Sequence, residues 1–202
     1  MITARYTKQQ SKWPQSGRHI LAQYDYTGIV VYQAYRPAIA DYAVRHQRFG
    51  GEFSYTRMSW IKPNFLWMMF RSGWATKEGQ ERILAVRLRR DFFDELLRDA
   101  VPSSFDSERF ASHEDWKAAI EHSDVRLQWD PDHDPIGKPL ERRAIQLGLR
   151  GRALRRYGEE ALLGIEDITP FVIAQRAHLR DGFAELVVPR ERVYPMPVAA
   201  AS

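Results

Sequence analysis

Apolar positions crowd most densely between residues 54 and 74, where Phe65, Leu66, Trp67, Met68, Met69 and Phe70 follow one another without a polar interruption. Pro63 has no amide hydrogen and a preset φ, which suits the first turn of a helix, and Gly73 suits its end. A helix of about 10 residues is predicted. Its apolar side chains run round the whole circumference, so it has to be buried among other elements. Tyr55, Thr56, Arg57, Ser59, Trp60 and Lys62 precede it, and Arg71 and Ser72 follow it. Two readings stand: a central hydrophobic helix with snorkelling basic ends, or helix ends that line a pocket for an anionic or aromatic ligand such as a nucleotide.

The remaining pattern is a mixture of both periods. Residues 29–35, preceded by the turn residue Gly28, are rich in β-branched and aromatic side chains and predict a central strand. Pro37 opens a helix through about Gln47, stopped by Gly50 and Gly51. Residues 52–59 predict a short strand, and residues 81–88 a further one, followed by a helix with Asp91 as its N-cap and Phe92, Phe93, Leu96 and Leu97 on one face. A short helix with Trp116 covers residues 112–121, and residues 125–130 alternate as a strand before a turn-rich run over 131–139. Residues 142–149 fit either strand or helix. Helices are predicted over 151–157 and 169–177, the latter opened by Thr169 and Pro170, and a strand over 184–189 that residues 192–195 extend past a bend.

Strands interrupted by short helices, without regular βαβ spacing, predict an α+β fold: a central, mostly antiparallel sheet in a single domain. Residues 19–195 form that domain, residues 1–18 an irregular arm pinned by Trp13, and residues 196–202 a frayed tail.

Composition narrows the function classes. With 202 residues the chain is long enough for a sizeable core, and six Trp exclude a disordered chain. The absence of Cys removes disulfides, thiolate nucleophiles and Cys-ligated zinc. No apolar run approaches a membrane span and the N-terminus lacks a signal-peptide core, so a soluble cytoplasmic protein with no membrane partner is expected. Net charge is only +4, but Arg greatly outnumbers Lys and grips phosphate with a planar fork, so a nucleotide ligand or a nucleic acid is allowed. Phosphate-binding Gly loops, nucleophile elbows, zincin motifs and EF-hand loops are absent. The run Asp130-Pro131-Asp132-His133-Asp134 holds three carboxylates and an imidazole, but its prolines make an exposed turn the simpler expectation, and no metal is assigned.

Residues 60–74, Gln128-Trp129-Asp130-Pro131 and residues 143–149 together resemble a family of bacterial and fungal domains of unknown function, over about residues 20–195. The order of segments is also similar to that of the ADP-ribosyltransferase superfamily: a first strand with an aromatic-polar motif, a helix ending in Gly, a middle segment with Ser, Thr or Tyr, and a late strand with a catalytic Glu. In this chain these are residues 31–35, the helix to Gly50, residues 54–59, and Glu185 in residues 185–189. That resemblance implies an NAD-dependent ADP-ribosyltransferase acting on an unidentified acceptor, with NAD as substrate. It makes Glu185 the carboxylate that stabilises the oxocarbenium-like sugar, with Tyr55 as second catalytic residue. Tyr35 or Tyr55 would stack on nicotinamide, Arg36, Arg57 or Arg71 would hold the pyrophosphate, and Tyr32, Gln33 and Ser59 complete the cofactor-binding set. The alternative is a non-enzymatic nucleotide- or RNA-binding module that uses Arg and aromatic side chains.

Overall fold

The computed structural model describes residues 1–180 and 182–196. In chain order the elements are β1 (Thr3–Arg5), α1 (Tyr6–Gln10), β2 (Gly17–Arg18), β3 (Leu21–Ala22), β4 (Gly28–Tyr35), α2 (Pro37–His46), β5 (Ser59–Ile61) and α3 (Phe65–Ser72). There follow β6 (Arg82–Arg89), α4 (Arg90–Asp99), β7 (Val101–Pro102), α5 (His113–His122), β8 (Val125–His133) and β9 (Pro139–Leu149). The chain closes with α6 (Gly151–Glu159), β10 (Leu162–Asp167), α7 (Thr169–Arg176), a 3-10 turn over Ala177–Arg180, β11 (Val187–Pro189) and β12 (Arg192–Val193). This is the predicted α+β mixture in a single domain.

Two sheets carry the architecture. In the first, β6 lies between β10 and β4 and is antiparallel to both, with Val31 opposite Val86 and Ile165 opposite the same residue. In the second, β8 and β9 form a long antiparallel pair, β7 and β2 add parallel edges, and β5 lies antiparallel along β9. The sheets meet at one backbone bridge: Tyr32 N donates to Lys62 O at 2.7 Å, and Lys62 N donates to Tyr32 O at 3.3 Å. Beyond that bridge β4 and β5 share no further ladder.

Alternation along β4 and β6 covers both faces of the first sheet. Ile29, Val31, Leu84, Val86 and Leu88 enter one core with α2, α4 and the inner face of the second sheet, whereas Tyr32, Ile83 and Ala85 enter another with α3 and α7. A period of two with both faces apolar is what a strand buried on both sides requires.

Helix α3 forms where the apolar run predicted a buried helix. Pro63 lies just before the helix rather than in its first turn: Asn64 is the N-cap, and its side chain accepts from Trp67 N at 2.7 Å. Gly73 closes it in the left-handed region with φ 59°. Of its six apolar side chains, Phe70 is the exposed one, at 39%, while Phe65, Leu66, Trp67, Met68 and Met69 are buried. The cap is reinforced from far along the chain, since Glu191 Oε1 accepts from Phe65 N at 2.7 Å and its Oε2 from Asn64 Nδ2 at 3.2 Å.

Several expectations need correction. β4 is an outer strand of its three-stranded sheet, and β6 takes the middle place. Residues 52–58 form turns and bends, because the strand there begins only at Ser59. Asp91 lies within the first turn of α4, with Arg89 at the N-cap position, and Ile168 rather than Thr169 precedes α7. The acidic run at 130–134 is no exposed turn: β8 continues to His133, and buried Asp132 meets Arg142 Nη2 at 2.6 Å, while Asp134 Oδ1 accepts from the amides of Ile136 and Lys138. Residues 142–149 are strand, and β10 was not predicted at all. Residues 1–18 are not irregular throughout: they hold β1, α1 and β2, and Trp13 is buried with Nε1 donating to Glu191 O at 3.0 Å. In the tail, Met196 packs on the core, and the frayed end expected beyond it lies outside the described residues.

Candidate functional site

Where β4 and β5 part, a cleft of about 760 Å³ opens between the two sheets, within the range of ligand sites in proteins. Its first wall is the end of β4 with the start of α2: Gln33, Tyr35, Arg36 and Ile39. Arg57, Met58, Ser59, Trp60 and Lys62 follow along β5 and its approach. Helix α3 contributes Met68 and Arg71, β8 contributes Gln128, and β9 contributes Gln146. Glu52 and Glu78 stand on the loops around it.

The side chain of Gln33 takes over where the ladder stops. Its Nε2 donates to Ser59 Oγ at 2.9 Å and to Trp60 O at 3.1 Å, and its Oε1 accepts from Tyr157 Oη at 2.5 Å. Ser59 Oγ is also 3.1 Å from Tyr35 Oη. This chain of hydrogen bonds tethers two strands that would otherwise part with unsatisfied polar groups. Burial pushes the phenols of Tyr35 and Tyr157 well above their ordinary range, so both are neutral hydrogen-bonding groups. On the other side, Trp60 and Met58 lie close on β9 because residue 148 has no side chain. A Cβ there would fall 2.7 Å from Met58 Sδ and 3.0 Å from the Trp60 ring.

The charges are predominantly positive. Arg36 pairs with Glu52 at 2.6 Å, both partly exposed. Lys62 is only 5% exposed, and burial, aided by repulsion from Arg71 and opposed by Asp130, lowers its ammonium to about 8. Asp130 itself is held by two amides, Gln128 Nε2 at 2.9 Å and Gln146 Nε2 at 2.7 Å. The carbonyl oxygens of both glutamines are thereby left to accept from something else. The cleft thus offers cations for an anion, amide carbonyls for a donor, and the rings of Tyr35 and Trp60 as apolar surface.

Of the residues assigned from sequence, Gln33, Tyr35, Arg36, Arg57, Ser59 and Arg71 line this one cleft. Three do not. Tyr32 is wholly buried against Phe65 in the core beneath α3. Tyr55 donates from Oη to Phe49 O at 3.0 Å and lies against Gly158, on the α6 side. Glu185 precedes β11, is exposed, and pairs with Arg5 Nη1 at 2.8 Å, a contact that holds its carboxyl below the usual range. The strand expected over 184–189 pairs only from Val187 onward, so Glu185 lies before it rather than in it. Gln128 and Gln146 were missed as site residues: Gln146 is the one polar side chain in the run over 144–149, a visible signal, whereas Gln128 is one of several polar positions alternating along β8 and nothing in the sequence sets it apart.

No curated protein matches the chain. A family model described as Domain of unknown function (DUF4291) matches residues 19–194, which include the whole cleft, and the chain belongs to that family.

Proposed function

We propose that the cleft binds a phosphate-bearing nucleotide of the size of NAD. The observation that carries this reading is the convergence of Lys62, Arg57, Arg71 and Arg36 with the rings of Tyr35 and Trp60 on one concave site between the sheets. Guanidinium and ammonium groups match phosphate oxygens, and aromatic rings offer stacking surface for a base or nicotinamide.

Two outcomes of binding are distinguished by the late part of the chain. In NAD-dependent ADP-ribose transfer, the bond from ribose to nicotinamide breaks and positive charge grows on the sugar, which oriented oxygen dipoles stabilise. The late strand that lines the cleft is β9 rather than the Glu185 segment, and it presents Gln146, whose amide nitrogen is hydrogen-bonded to Asp130. Gln146 Oε1, with the Asp130 charge behind it, is the group we assign to that role. The second reading is a non-enzymatic nucleotide- or RNA-binding module, and the exposed position of Glu185, away from the cleft, favours it.

Melting curves and calorimetry with NAD, together with chromatographic detection of released nicotinamide, test both. NAD is expected to raise the melting temperature, by the equivalent of about 2.7 kcal/mol at a hundredfold excess over Kd. Binding with nicotinamide release supports transfer, and binding without release supports the module. Indifference to NAD with an oligonucleotide affinity that falls steeply with salt moves the site to RNA. Absence of both kinds of binding overturns the nucleotide reading.

A further inference from the structure

The positive charge of the cleft is unequally matched. Arg36 at the rim already has Glu52. Lys62, at the turn from β5 into α3, is 5% exposed and lines the cleft, and no hydrogen bond or ion pair from its ammonium occurs among the described residues. Burying a cation without a partner is costly, and folded chains keep such groups where something else meets the charge. Arg71, on α3, lines the same cleft, repels Lys62 and has no ion pair among the described residues. The carboxylate whose field reaches Lys62, that of Asp130, has an oxygen engaged by each of Gln128 and Gln146. Two neighbouring cations, one of them buried, with no carboxylate bound between them, make a receptor for a multiply charged anion.

We propose that Lys62 and Arg71 form a phosphate subsite inside the cleft, one that takes the pyrophosphate of the bound nucleotide and fixes which end of the ligand lies under α3. This rests on the nucleotide reading and sharpens it. Bound phosphate removes the repulsion that Arg71 exerts and supplies the missing counter-charge, so the Lys62 ammonium is restored toward its ordinary protonation and binding just above neutrality takes up a proton.

ADP-ribose is the probe, because its pyrophosphate is a diester that stays fully ionised, and adenosine is the control without phosphate. Calorimetry on the full chain at pH 8.5, in two buffers of different ionisation enthalpy, reads affinity and proton uptake together. The variants are Lys62→Met, Arg71→Gln and, as a charge control on the exposed helix α5, Lys117→Met. Lys62→Met and Arg71→Gln are each expected to weaken ADP-ribose binding at least tenfold, Lys117→Met less than twofold, and proton uptake to vanish in Lys62→Met. Adenosine is expected to bind far more weakly and to respond to none of the three. ADP-ribose affinity retained in Lys62→Met and Arg71→Gln overturns the subsite while leaving the nucleotide reading in place. Loss of affinity with no proton uptake in the unaltered protein, or with a lowered melting temperature in both variants, marks a structural role and also overturns it. If neither NAD nor ADP-ribose binds the unaltered protein, both proposals fall together.

Discussion

Lys62 shows how one residue can work against the fold that contains it. Its ammonium titrates at about 8 when folded, against an ordinary value near 10.5. Between those values the unfolded chain holds a proton that the folded chain has released, so stability rises with pH across that window, and below it the burial cost is borne in full. The cost is on the order of 3 kcal/mol as an upper figure. Methionine has a similar unbranched shape without the charge, so Lys62→Met is expected to stabilise the ligand-free protein by about 1–3 kcal/mol at pH 7 and to flatten the alkaline rise. Urea unfolding at pH 7 and pH 10 checks this, and a destabilised variant would contradict it. Glu185 is the opposite case. It is exposed, and its ion pair is with Arg5, itself a surface group, so Glu185→Gln is expected to leave the melting temperature and NAD affinity as they were, which melting curves with and without NAD would show.

Among the elements, the junction of β4 and β5 and the helix α3 decide whether the cleft has walls. Gln33→Ala removes the acceptor of the wholly buried Tyr157 hydroxyl and both donors that hold Ser59 and Trp60. A loss of about 1–3 kcal/mol is expected, read by chemical denaturation, since a buried hydroxyl left without a partner keeps its desolvation cost. In α3, Trp67 is 7% exposed and stacks on Phe70 and His133. Trp67→Ala is expected to cost about 3–5 kcal/mol. Its buried indole nitrogen has no hydrogen-bond partner among the described residues, so Trp67→Phe should recover more than half of that loss, and equal losses in the two variants would argue against packing as the cause. Of these elements β4 and α3 were legible in the sequence, because the β-branched run over 29–35, Gly73 and the apolar run over 65–70 act locally, whereas the strand expected over 52–59 forms only at Ser59–Ile61. β10 was not, since Gly164, Glu166 and Asp167 interrupt any apolar alternation and only pairing with β6 makes it a strand. Nor could the sequence say that residues 184–186 precede the strand, because the limit is set by where β1 ends.

At the scale of the whole molecule, the cleft is assembled from segments that a one-dimensional reading keeps apart. The apolar helix with basic residues at both ends did mark one side of it: Arg57, Ser59, Trp60, Lys62 and Arg71 all line the site. The opposite side comes from β8 and β9, whose Gln128 and Gln146 acquire meaning only once those strands pair with each other and with β5. Charge behaved likewise. A modest net excess of +4 conceals a local concentration, because much of the remaining Arg is spent on pairs such as Arg142 with Asp132 and Arg156 with Glu95. No helix among the described residues is long and apolar enough to cross a membrane.

The reinforcement of α3 by Glu191 also sets an order in time. Ribosomes add roughly 5–20 residues each second, and the carboxylate that receives the Phe65 amide comes 126 positions after it. For on the order of ten seconds the growing polypeptide therefore carries the Lys62 and Arg71 segment with only Asn64 to hold its leading turn. If the cleft holds phosphate as proposed, a nascent chain is expected to gain that grip late, after almost everything else has been made.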